Sequence, residues 1–313
     1  EYMEERVKRA MLLMTRQCWE AGIAAQALLE RGDESDLEIM VRDIVTRQSL
    51  DGRLCNVENT KAVTDSSFCI PAVWHVAQQA NHETEKRAVE RNIQFLLHES
   101  PRREDGVLYH MLGTQEIWAD SAAFLPYSLA LSGYCQEGIG QMKGLMHTLR
   151  DTKTGLFFHV WDEERGLFSR KYLWGIGNGW FLTGIYRLIQ EIPRENKMRQ
   201  EFVTIWRMLL ERVLMFLDAN ALFHNHLLDS ASFLESECSE MIAYMIFCGV
   251  RDGFLDSKYA EIGEKIRYAV RKRVDMWGMV TGCAGSPHFV APGISVEGQA
   301  HFLMMEAAYR RMV

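Results

Sequence analysis

The chain has 313 residues, 48% of them hydrophobic and 25% charged, with a formal net charge of -7. That is ordinary globular composition, and the acidic balance excludes the basic stripe by which a protein holds nucleic acid or an anionic membrane. No apolar run approaches the roughly 20 residues of a membrane span, and seven cysteines without a C-x-x-C pair point to free thiols in a reducing compartment rather than to disulfides or structural zinc.

The start, EYMEERVKRA, reads as a charged helix and not as a signal peptide, which predicts a cytoplasmic protein. No Pro/Ser/Gly-rich linker or charge block interrupts the chain, so residues 1–313 are expected to form one domain. The helical period dominates throughout, and alternating strand-like runs are scarce. Helices of two kinds follow one another. Cys18 to Leu29, 66 to 80, 118 to 133, 176 to 190, 235 to 250 and a last segment starting near 294 are apolar nearly all round, which predicts enclosure by other helices. Segments 34 to 48, 83 to 98 and 256 to 275 are amphipathic. Leu37, Val41, Ile44 and Val45 share one face, opposite Glu38, Arg42, Asp43 and Arg47; Val89, Ile93, Leu96 and Leu97 repeat the pattern. The inner segments recur every 50 to 60 residues or so, as repeated helical hairpins do. Six hairpins closed in a ring make an all-α (α/α)6 barrel; an open solenoid has the same periodicity.

Polar residues stand at the starts of these inner segments, where a ring would bring them to one mouth: Asp65, Asp120 in WADS, Asn178 in GIGNGW, Glu235 and Glu237 in LESECSE, and Ser295 and Glu297 in ISVEGQ. Any one of them can serve simply as a helix cap. Capping does not explain why Asp120 follows Trp118, or why Asp65 precedes an almost wholly apolar helix. A carboxyl among rings loses hydration, and a second carboxyl nearby raises one proton affinity further, which is how such a group becomes a general acid near neutral pH. Asp65 and Asp120 are therefore the expected acid/base pair. Between the helices, GLFFHVWDEERGLFSRKYLWGIGNGW concentrates Trp161, Trp174, Trp180, His159 and five glycines in what reads as a connection. Exposed rings leave apolar surface in water, so these are expected to wall an enclosed site and stack on a ring-shaped ligand, with the glycines letting backbone approach it.

The segments WADSAAFLPYSLALSG, GLFFHVWDEERGLFS, WGIGNGW, LESECSEMIAYMIFCGVRDGFLD and ISVEGQAHFLMMEAA, in that order, resemble glycoside hydrolase families 88 and 105, the unsaturated glucuronyl and rhamnogalacturonyl hydrolases. The likeness runs from CWEAGIAAQALL to the last helix. It implies the closed (α/α)6 barrel and no cofactor or metal. The implied chemistry is hydration of the C4=C5 bond of an unsaturated uronic acid at a saccharide end, after which the hydrated sugar rearranges and releases its neighbour. By motif position Asp120 matches the acid/base and Asp65 its supporting aspartate. His159 and Trp180 match site residues, and His110 in LYHML matches a polar one. Trp118, Trp161, Trp174, Asn178 and Glu237 complete the expected substrate-binding set. One departure stands out: the family generally has arginine, held to bind the substrate carboxylate, where this chain has Ile176. Arg170 and Lys171 are nearby cations in the sequence.

That departure and the 17 methionines prompt a second reading, an isomerase, cyclase or lyase that protonates an alkene or enol ether in a non-sugar molecule; a third is a binding protein that has kept the fold without the reaction. A nucleotide loop at GIGNG lacks the required β-α-β context. His224 and His226 in FHNHLLD, two residues apart, point to different faces of a helix and make no zinc motif. The partner expected on all counts is a small molecule, most simply a saccharide; oligomeric state is not written in the sequence.

Overall fold

A computed structural model describes residues 2–57, 60–79, 82–285 and 287–313. Twelve helices occupy it: α1 (Tyr2–Met14), α2 (Cys18–Arg31), α3 (Glu34–Thr46), α4 (Ile70–Ala77), α5 (Glu83–Gln94), α6 (Leu125–Leu131), α7 (Cys135–Leu149), α8 (Gly175–Glu191), α9 (Lys197–Leu214), α10 (Ser236–Arg251), α11 (Tyr259–Arg271) and α12 (Val296–Met312). The even-numbered helices are the inner ones. Alanines 21, 24, 25 and 27 let α2 pack on every side; Glu20 and Gln17 close a capping box at its start, and Gly32 ends it in the left-handed region at φ 78°. In α8 every residue from Gly175 to Ile189 is buried. The odd-numbered helices bury one face only, as Leu37, Val41 and Ile44 do on α3 and Gly263, Ile266 and Val270 on α11.

Each inner helix packs on the next around the ring, and α12 returns to α2. The ring is therefore closed and the solenoid alternative falls: α1 lies outside α12, α3 outside α2 and α4, and α11 outside α10. Among the described residues no helix is long and apolar enough to cross a membrane, and all seven cysteines are free thiols.

Two inner helices start later than their apolar runs. Pro71 and Pro126, in the first turns of α4 and α6, have no N–H to give and a φ already suited to a helix start. The residues before them fold instead as short 3₁₀ turns, Asp65–Phe68 and Ala119–Ala122. Residue 80, the end of the expected 66 to 80 segment, lies outside the described residues. The amphipathic 83 to 98 segment is helical as α5 and then relaxes into a π turn, Phe95–Glu99.

Three small antiparallel sheets join the helices: β1 (Glu116–Trp118), β2 (Val160–Asp162) and β3 (Leu167–Arg170) form one, β4 (Phe223–His224) and β5 (Leu234–Glu235) a second, and β6 (Cys283–Gly285) and β7 (His288–Gly293) a third. The β1–β2 register pairs Trp118 with Val160, and the Ala119 N–H donates to the His159 carbonyl at 2.9 Å. This pairing sets His159 beside the turn that carries Asp120.

Candidate active site

At the end of the bore where the inner helices begin lies a cavity of about 290 Å³, close to the lower size of ligand pockets. Asp65, Asp120, His110, Trp118, Trp174, Ile176, Trp180 and Glu237 line it, with Trp19, Phe68, Phe289 and Glu297. Residues fifty-five positions apart in sequence thus meet at one mouth, as the inner-helix starts predict.

Asp65 and Asp120 do not occupy the cap positions of their turns, which fall on Thr64 and Trp118. The carboxylate of Asp120 instead receives the Nε2–H of His159 at 3.0 Å. His159 is fully buried, and its Nδ1 has no hydrogen-bond partner, so the proton belongs on Nε2. The ring is fixed by stacking on Trp174 at 4.4 Å and by the edges of Trp118 and Phe289 at 5.5 and 5.4 Å. Burial lowers the proton affinity of this imidazole and outweighs the pull of Asp120. Burial also acts against ionisation of Asp120, but the His159 hydrogen bond and the electrostatic effects of His159 and His110 prevail, and its carboxyl sits below the ordinary range.

Asp65 shifts the other way. Burial is the main cause, His110 opposes it, and the charge of Asp120 adds to it, so the carboxyl of Asp65 holds its proton more tightly than usual. His110 Nε2 lies 3.5 Å from Asp65, while its Nδ1 meets Thr64 Oγ1 at 2.7 Å and Ser121 Oγ at 3.2 Å. Its ring stacks on Trp118 at 4.6 Å. The two carboxyls are thus tuned in opposite directions: the His159 hydrogen bond favours the charged form of Asp120, while burial, opposed only by a distant histidine, favours the protonated form of Asp65.

Not every expected wall faces the cavity. Asn178 is fully buried and turned away: its side chain accepts from Phe157 N–H at 2.9 Å and donates to the Phe157 and Trp174 carbonyls, tying α8 to the segment before β2. Trp161 lies on β2 outside the lining, with its indole N–H on Glu163 and its ring against Phe168. The α8 glycines serve packing rather than ligand approach. A Cβ on Gly179 would fall 2.2 Å from Met241 Sδ, and one on Gly184 would fall 1.8 Å from the Ala122 carbonyl oxygen. Ile176 is in the lining, which among the described residues holds one lysine, Lys61, and no arginine. Arg170 stands just outside, its guanidinium 4.8 Å from the centre of the Phe289 ring. His224 bonds the Ser232 carbonyl and Asp218 in the second sheet, and among the described residues no cluster of His, Cys, Asp or Glu is arranged for a metal.

The signature of glycosyl hydrolase family 88 matches residues 4–313. The chain belongs to that family. An unsaturated rhamnogalacturonyl hydrolase, YesR of Bacillus subtilis, is 26% identical over 184 residues, which is 54% of this chain and 52% of that one. The match thus spans about half the length of that relative. An unsaturated 3S-rhamnoglycuronyl hydrolase of Alteromonas sp. is 20% identical over 80% of this chain and 66% of its own. The fold is shared with a possible member of GH105 from Salmonella enterica (TM-score 0.87, 18% identity, 99% of this chain and 93% of that one). A heparin-specific unsaturated glucuronyl hydrolase shares it as well (TM-score 0.72, 10% identity, 98% and 94%). The (α/α)6 ring read from helix periodicity is accordingly the architecture of this family 88 chain.

Trp19 and Phe289 carry no site signal in the sequence, and Glu297 carries only its place at an inner-helix start. Trp19 stands in the first turn of α2, where the residue pattern signals only an apolar helix. Phe289 comes from the β6–β7 hairpin, whose composition carries no signal; its carbonyl accepts from Asn225 at 2.9 Å. Glu297 is visible at an inner-helix start, but its partner, the Trp19 indole N–H at 2.7 Å, comes from 278 positions away.

Proposed function

We propose that this family 88 chain is a hydrolase of saccharides that end in an unsaturated uronyl ring, and that Asp120 and Asp65 manage one proton between them. The observation that carries the reading is two carboxyls in one aromatic-walled cavity tuned in opposite directions, Asp120 toward its charged form by the His159 hydrogen bond and Asp65 toward its protonated form by burial. A uronate carboxylate entering next to Asp120 brings like charge into a dehydrated space. That raises the proton affinity of Asp120 and draws the proton onto it. Asp120 then protonates C4 of the enol ether, water adds to the cation left at C5, and Asp120 takes back the proton that the water sheds. One water is consumed, C4 gains hydrogen and C5 gains hydroxyl; the product is a hemiketal whose opening frees the neighbouring sugar. Trp118, Trp174 and Trp180 supply faces for the ring, while Asn178 and Trp161 act from behind the wall.

The test is to incubate the enzyme with unsaturated disaccharides from pectin and from glycosaminoglycans and to follow the ultraviolet absorbance of the conjugated double bond. Enzyme-dependent loss of absorbance supports the reading. No loss at high enzyme concentration favours the second reading, prompted by Ile176 in the lining, in which the same aspartate protonates a non-sugar alkene. A protein that only binds would keep its ligand affinity in Asp120→Ala.

A further inference from the structure

Opposite Asp65 and Asp120, across the bore, α10 and α12 place a second pair of carboxyls, Glu237 and Glu297, in the same cavity lining. Glu237 is buried and Glu297 half-buried, and no lysine or arginine among the described residues forms an ion pair with either. Glu237 is 1% exposed. Its Oε2 accepts from Ser295 at 3.3 Å, while its Oε1 has no hydrogen-bond partner. His301 Nδ1 lies 3.3 Å from that oxygen, but neither nitrogen of this fully buried ring makes a hydrogen bond, and burial keeps the ring well below its ordinary proton affinity. The Trp180 indole N–H, 4% exposed on the same wall, is likewise unpartnered. Buried polar groups in native proteins are almost always paired; here an acid and a donor on one cavity wall are both left unpaired.

The charge balance of the lining indicates what would pair with them. Among the described residues, four carboxyls face the space, Ile176 offers no charge, and the single lysine, Lys61, is exposed. Six rings, those of Trp19, Phe68, Trp118, Trp174, Trp180 and Phe289, surround them. Carboxylates inside an aromatic box favour an ammonium group, which relieves the repulsion between the acids and is attracted to the ring faces. An anion on this wall would meet the opposite conditions.

We propose that the Glu237–Glu297 wall binds a protonated amine, and that the substrate is an unsaturated uronyl ring joined to an amino sugar whose amine is free. This rests on the reading of the reaction given above and names its substrate class. Ion pairing to Glu237 and Glu297 holds the amino sugar, and the Trp180 N–H donates to an oxygen of the same ligand.

The test compares two disaccharides, unsaturated uronyl-glucosamine with its amine free and the same compound N-acetylated. The expected result is a kcat/KM at least ten-fold higher for the free amine, carried by KM, with the ratio falling toward one in Glu237→Gln and, independently, in Glu297→Gln. Equal rates for the two compounds in the wild type, or a preference that survives both substitutions, would overturn the proposal while leaving the hydrolase reading intact. If neither compound loses its double bond, the reaction assignment fails, and titration calorimetry with the same two compounds judges the wall by itself: ten-fold tighter binding of the amine supports it, and equal binding overturns it.

Discussion

His159 is the main neighbour that favours the charged form of Asp120. The His159 Nε2–H is the only side-chain hydrogen bond to that carboxylate among the described residues, and the imidazole is held there by the Trp174 face rather than by a second hydrogen bond. In His159→Gln, Asp120 is expected to titrate at higher pH than in the wild type, as read from its carboxyl carbon by NMR; an unchanged or lower titration point contradicts the account. Losing one oriented donor at the reacting group should also reduce kcat/KM by about 10²-fold. Asp65→Asn removes the proton reservoir and keeps the shape, so its effect is expected chiefly on kcat. A change confined to KM would make Asp65 a binding residue instead.

The turns that carry the two aspartates depend on prolines and on close helix contact. The Ala119–Ala122 turn lies against α8 at Gly184, where even a methyl group would collide with the Ala122 carbonyl. Gly184→Ala should therefore destabilise the protein by about 1–3 kcal/mol, the usual range for overpacking, and lower activity as well, because the turn it displaces holds Asp120. Gly140, exposed on α7 where an added methyl group would meet nothing within 4 Å, is the contrast. There the same substitution should raise stability by about 0.5–1 kcal/mol through backbone entropy alone, with activity untouched. Thermal melts and rates of the two variants side by side check both statements. The inner helices are legible in the sequence because a segment apolar on all sides, such as 176 to 190, has no wet face to turn outward. The 3₁₀ entries at Asp65 and Asp120 are written only in Pro71 and Pro126, which the apolar run obscures.

Across the whole molecule, buried acids give stability a definite pH trend. Burial above all, with mutual repulsion in Glu237, pushes Glu235 and Glu297 up to about 7 and Glu237 and Glu240 well above the ordinary value of 4.5. The folded state therefore binds protons that the unfolded chain has already lost, and stability falls as pH rises. The buried His159 and His301, lowered from 6.5, oppose this only below that value, where the unfolded chain takes up their protons. The window clear of the histidines opens above 6.5, where Glu235 and Glu297 lose their remaining protons near 7 and Glu237 and Glu240 still hold more than the unfolded chain, and Tm should drop as pH rises through it. Glu240→Gln, which replaces a fully buried carboxyl with no partner for either oxygen, should make the drop shallower. At this scale ring closure is the step that periodicity leaves open and that α12 on α2 decides. The cavity's contents are only half legible: Asp65, Asp120, His110, His159 and Glu237 lie in or against it, whereas Phe289, Trp19 and the role of Asn178 depend on contacts between distant segments that no local pattern encodes. The direct measurement of the central claim is turnover of an unsaturated uronyl disaccharide by Asp120→Asn, with circular dichroism and melting temperature as folding controls. The account predicts a folded protein whose rate of double-bond loss falls by at least about 10³-fold, within reach of one lost acid/base group; a folded variant with wild-type turnover would contradict it.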